Sequence, residues 1–163
     1  MSRKETSFEV LEKVFISESY CLNCKQWTGY IGSHKCPTKH TIWIDGALRG
    51  IVDRLYHLGI VPESASFDLN CFDRQSKMYC IKLNIHLKQH LNCAVLGDLP
   101  AGWNYYWDHD EDKICMLGYM DYKCYVGVMK AKERVYTVAN EFEKFLDKRD
   151  REAVKAMLLL TGG

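Results

Sequence analysis

A chain of 163 residues, 47% hydrophobic and 26% charged, has the balance of one globular domain and is long enough to bury a sizeable core. A formal net charge of +1 argues against a dedicated nucleic-acid binder, which shows a basic stripe and a high pI. No apolar run reaches the length of a membrane span, and the first residues are charged and amphipathic rather than signal-like, so the expected compartment is the cytoplasm, with no membrane partner. Eight cysteines, mostly single and set among apolar residues, fit thiols in a reducing environment better than a disulfide framework.

Thr6-x-x-Glu9 forms a capping box, and Phe8, Leu11, Val14 and Phe15 follow at helical spacing, which predicts a short N-terminal helix. From Ile16 to His40 no period is visible, and Gly29, Gly32 and Pro37 punctuate turns. Thr41 to Ile44 reads as a short extended piece. Asp45 can cap the next helix. Leu48, Ile51, Val52, Leu55 and Leu58 give it an apolar stripe, and Gly59 stands where a helix terminates in the left-handed conformation.

After Pro62 the period becomes two. Ala65, Phe67, Leu69 and Cys71 alternate with polar residues, as do Tyr79, Ile81, Leu83, Ile85 and Leu87, which predicts two antiparallel, half-buried strands. A further short strand is expected over Cys93 to Leu96. Leu99 to Gly102 is a turn. Trp103 to Trp107 and Lys113 to Met120 read as the arms of a hairpin with its tip at Asp108 to Asp112, followed by a short strand over Lys123 to Val128. The helical period returns from Lys130, with Val135, Val138, Phe142, Phe145 and Leu146. A polar break at Asp147 to Asp150 precedes a last helix over Ala153 to Leu160. The expected fold is α+β: one domain over residues 1–163, an antiparallel sheet with helices on one face and an N-terminal zinc-bound loop. A zinc-binding segment covers residues 16–44 and an α+β body residues 45–163.

Chemistry concentrates in that segment. Cys21-x2-Cys24 is a zinc half-site, because two thiolates at this spacing can grip one tetrahedral ion from a tight turn. The second half must come from His34, Cys36 or His40. The pair Cys36-x3-His40 has finger-like spacing but places its ligands on a helix, which Gly29, Gly32 and Pro37 oppose. This favours Cys21, Cys24, His34 and Cys36 around a structural Zn2+, with unrelated core thiols as the plain alternative. The segment CLNCKQWTGYIGSHKCP, followed by a helix ending LYHLGI and a two-residue-period sheet, resembles small zinc-knuckle-headed accessory proteins of bacteriophages and prophages. That resemblance covers about the first third of the chain. It implies a modulator of a host process and no catalytic residues.

Asp98, Asp108, Asp110, Glu111, Asp112 and Asp121 face only Lys113 between positions 97 and 121. Asp108, Asp110 and Asp112 begin like a calcium loop, but the required glycine and glutamate positions hold Lys113 and Tyr119, so a solvated hairpin tip is the plainer reading. Trp103, Tyr105, Tyr106 and Trp107 flank these acids, and aromatic residues beside acids can anchor a protein partner. His86, His90 and Cys93 read as an accidental spacing, and Cys71, flanked by Asp68 and Asp73, as a core thiol. The leading expectation is a zinc-stabilised intracellular protein acting through protein–protein contacts, such as a phage-type inhibitor. The alternatives are an enzyme or small-molecule binder with a dispersed site, and nucleic-acid binding through Lys25, Trp27, Tyr30, Lys35 and Lys39.

Overall fold

The apolar stripe from Leu48 to Leu58 forms the buried face of a helix, α1, Arg49–Leu58, in a computed structural model of the protein. The structure describes residues 15–29, 34–36, 40–73, 75, 77–108 and 113–162, without the side chains of residues 71–73, 122 and 124. The expected helix ahead of Phe15, the hairpin tip bearing Asp110 and Asp112, and the Cys71 side chain lie outside these.

Among the described residues seven strands form one sheet: β1 Ser17–Cys21, β2 Gln26–Trp27, β3 Thr41–Asp45, β4 Pro62–Asp73, β5 Met78–Leu91, β6 Trp103–Asp108 and β7 Lys113–Val126. Their order is β2-β1-β3-β4-β5-β7-β6, antiparallel throughout except for β3 with β4, which α1 connects. Two further helices, α2 Val128–Asp147 and α3 Arg151–Thr161, complete the α+β layer. Ile81, Leu83, Ile85 and Leu87 of β5 join Ile51, Val52 and Leu55 of α1 and Val135, Val138 and Phe142 of α2 in one buried cluster. Lys82 and His86 alternate with the first set and stand on the opposite face, as period-two geometry requires. The arrangement is the expected antiparallel sheet with packed helices.

Four local expectations are corrected. The stretch from Ile16 to Trp27, where no period is visible in the sequence, contains two short strands at the edge of the common sheet. Cys93–Val95 is a single 3-10 turn rather than a strand, because the Asn92 side chain accepts the Ala94 N–H at 2.9 Å and closes the chain locally. Lys123 to Val126 is the end of one continuous β7 rather than a separate strand. Asp45 precedes the helical segment but makes no side-chain cap. Its carboxylate reaches across to the Phe67 N–H at 2.8 Å, just where the β3–β4 ladder ends at Ile44 opposite Ala65.

Gly59 does end α1 in the left-handed region, at φ 92°, with its N–H turned back to the Leu55 and Tyr56 carbonyls. A side chain there is strained by roughly 1 kcal/mol. Gly59→Ala should lower the melting temperature by about 2–4 °C with the zinc content unchanged. An unchanged or raised melting temperature would show that this turn relaxes without strain.

Candidate metal centre

β1 ends at Cys21 and β2 begins at Gln26, and the four residues between them reverse the chain. The Lys25 N–H donates to the Cys21 carbonyl at 2.9 Å, and Lys25 takes a left-handed conformation at φ 54°. This tight turn carries Cys24 back beside Cys21. His34 and Cys36 come from the segment that returns from β2 to β3, and the Leu22 N–H ties that segment down by donating to the His40 carbonyl at 3.0 Å.

One donor atom from each of Cys21, Cys24, His34 and Cys36 lies within 4.8 Å of all the others. Zinc–thiolate bonds of about 2.3 Å in a tetrahedron set sulfur atoms roughly 3.8 Å apart, so the four donors already converge on the space of one ion. A second observation fits a cation there. His34 Nε2 is buried and has no hydrogen-bond partner. Leaving such a nitrogen unsatisfied costs about 1–3 kcal/mol, a penalty that metal coordination would remove. The thiols crowd one another as well. The Cys24 thiol is pushed up to about 11, first by its hydrogen bond with Cys36, then by desolvation and by Cys21. A shared cation reverses that preference, because coordination favours thiolate.

The structure thus brings together all four residues that the spacing selected and places the ring of His40 elsewhere, 6.1 Å from the ring centroid of Tyr56. Among the described residues, no other group of three or more Cys, His, Asp or Glu is placed to hold a metal, so His86, His90 and Cys93 do not form a second centre. Among the described residues, Cys21, Cys24, Cys36, Cys80, Cys93 and Cys115 form no disulfide.

Behind the site stand residues that sequence reasoning missed. Tyr20 is fully buried, and its hydroxyl donates to Asp53 at 2.6 Å and accepts from Arg49 Nε at 3.3 Å. Burial, then the Asp53 bond, push its phenol up to about 12. The Arg49 guanidinium lies 5.2 Å from the Tyr20 ring centroid and 6.0 Å from that of Trp27, and Arg49 Nη2 donates to the Lys25 carbonyl at 2.9 Å. Together these clamp the cysteine turn onto α1. The contacts join positions 22 to 33 residues apart, and no local pattern announces them.

The aromatic hairpin divides by face. Trp103 is 5% exposed, stacked on Phe142 at 4.1 Å, and belongs to the core rather than to a partner surface. Tyr105 also turns inward. Its hydroxyl donates to the Gly97 carbonyl at 2.6 Å, and burial pushes it up to about 12. Tyr106 lies on the other face, its ring so close over Gly118 that a Cβ there would stand 2.5 Å from it. Trp107 remains 50% exposed, beside the half-buried Asp108.

A separate polar cluster was also not anticipated. Asp121 accepts from Tyr125 Oη at 2.7 Å, Tyr119 Oη at 3.2 Å and the Lys123 N–H at 2.9 Å, with Arg134 Nε 3.8 Å away. Burial raises this carboxyl, but the three hydrogen bonds and Arg134 outweigh it and hold the group below the usual carboxylate range. A carboxylate so pinned joins β7 to α2 and is poorly suited to proton transfer at neutral pH. Among the described residues no helix is long and apolar enough to cross a membrane. No family model, curated protein or solved structure matches the chain.

Proposed function

We propose that this is a zinc-stabilised binding protein that acts by docking another protein, with the metal in a structural rather than a catalytic role. The observation that carries the reading is the convergence of three thiols and one ring nitrogen of His34 within 4.8 Å, on a ring whose buried Nε2 has no hydrogen-bond partner. Three cysteines and a histidine fill the four positions of a tetrahedral zinc and leave none for an activated water. Bound zinc would fix the β1–β2 turn and the return segment against the sheet edge. Partner docking is assigned to the half-exposed Trp107 with the acids of the hairpin tip, which suit a basic partner. The resemblance to bacteriophage accessory proteins supports a modulator of a host factor.

Affinity capture followed by kinetic binding to the recovered partner tests the docking surface. Trp107→Ala should speed dissociation by about tenfold or more, as loss of an aromatic anchor does. Asp108→Asn should slow association and weaken its salt dependence. If both variants stay folded and bind with unaltered rates, the docking surface lies elsewhere.

A further inference from the structure

A cavity of about 430 Å³ opens where the turn after Cys24 meets the end of α1 and the α2–α3 junction, with Lys25, Arg54, Arg149 and Arg151 on its walls and Leu58 and Leu146 beneath. Its two carboxylates are already engaged. Asp53 accepts from the Tyr20 hydroxyl at 2.6 Å and lies 3.9 Å from Arg49 Nε, and Asp147 lies 2.7 Å from Arg54 Nε. Lys25, Arg149 and Arg151 have no carboxylate partner among the described residues.

Both arginines are nevertheless held in place. Arg149 Nε and Nη1 donate to the Phe145 and Leu96 carbonyls at 3.4 and 3.3 Å, and its guanidinium lies 4.2 Å from the Phe145 ring centroid. Arg151 Nε donates to the His57 carbonyl at 2.9 Å. Carbonyls orient a guanidinium without cancelling its charge, and the remaining N–H groups stay available as donors. Lys25 is carried into the cleft by its left-handed turn, and its carbonyl is fastened by Arg49. α3 begins at Arg151, so the positive end of its dipole adds to the same rim, though Asp150 occupies the cap by accepting the Ala153 N–H at 2.7 Å. Neither Asp150 nor Glu152 lines the cleft.

We infer that this cleft binds a small phosphate-bearing molecule, with Arg149, Arg151 and Lys25 taking the phosphate and Leu58 and Leu146 receiving an apolar or sugar portion. Planar guanidinium forks match phosphate oxygens, and a lysine adds a mobile point charge. The volume falls in the range of small-molecule sites. Three uncompensated cations gathered in a concavity suit a compact anion better than a nucleic-acid backbone, which is met by an extended stripe.

Calorimetric titration of the protein as purified with pyrophosphate, and separately with adenosine monophosphate, at constant ionic strength tests the site. One saturable site is expected for at least one of the two probes. Arg151→Gln and Lys25→Gln should each weaken it about tenfold, the loss of one charge-assisted contact, while both stay folded and Arg151→Gln loses at most about 4 °C with its bond to the His57 carbonyl. Lys144→Gln, an exposed change away from the cleft, should bind as the parent does. The inference is overturned if neither probe saturates by about 10 mM, a concentration weaker than useful affinity. It is equally overturned if both cleft variants bind as tightly as the parent, or if only a mixed oligonucleotide binds.

Discussion

Replacing Cys21 by serine should strip the protein of zinc and lower its melting temperature by about 10–15 °C, whereas the parent chain should carry one zinc per molecule. In small peptides a structural zinc supplies about 10–16 kcal/mol of apparent folding free energy, comparable to the stability of a whole domain. Here the loss should be smaller, about 3–5 kcal/mol, because the buried cluster spanning β3 to β7 and the helices does not depend on the ion. It should not be negligible, because Cys21 is fully buried at the end of β1, and β1 pairs along its whole length with β3. Releasing the turn would loosen that ladder and the Tyr20–Asp53 bond behind it. The choice of histidine gives a sharper check. His34→Ala removes the donor whose Nε2 is buried and partnerless, and should weaken zinc binding by about 100-fold or more. His40→Ala removes only a ring beside Tyr56 and leaves the backbone bond from Leu22 intact, so stoichiometry should hold. Metal analysis after dialysis against a weak chelator reads both results. Full occupancy in Cys21→Ser, or the reverse order of the two histidines, would overturn the centre.

What the sequence made legible follows the range of the interactions. The Cys/His cluster could be read because Cys21-x2-Cys24 is a local constraint and the glycines and proline after it disfavour a helix. α1 could be read because its stripe and its terminal Gly59 agree. β1 could not, since SESYC shows little alternation and becomes a strand only through its register with Thr41–Asp45, some twenty residues on. Asp45 was read as a cap because capping is the local use of an aspartate before a helix. The competing donor, the Phe67 N–H, is 22 residues away. β7 looked like two strands because Asp121 interrupts the alternation, and its β5 partner register shifts between Tyr79 and Ile81. The cationic cleft draws on positions 25, 54, 149 and 151, which nothing in the linear order connects.

Trp103 and Trp107 show the same limit and give the second large effect. They are four residues apart in one strand, and their β7 partners Tyr119 and Ile114 are both buried, so the two tryptophans share a face. Alternation fixes that face but not how far the helices extend over it. Phe142 of α2 lies on Trp103, while Trp107 reaches past the helices to the end of α3, near Thr161 and Gly162. Trp103→Ala should therefore cost about 3–5 kcal/mol, the usual loss for a large aromatic removed from a core, and about 10 °C or more in melting temperature. Trp107→Ala, already half in solvent, should cost less than about 1 kcal/mol. Zinc content should be unchanged in both, because β6 and the β1–β2 edge that carries the Cys/His cluster lie at opposite ends of the strand order. Combining Trp103→Ala with Cys21→Ser should give nearly additive losses, as expected for sites that share no partners. Urea unfolding of the parent, the three single variants and the double variant measures the stability losses, and metal analysis of the two tryptophan variants checks the zinc content. A Trp103→Ala variant within about 1 kcal/mol of the parent would remove Trp103 from the core and return it to the candidate docking surface beside Trp107.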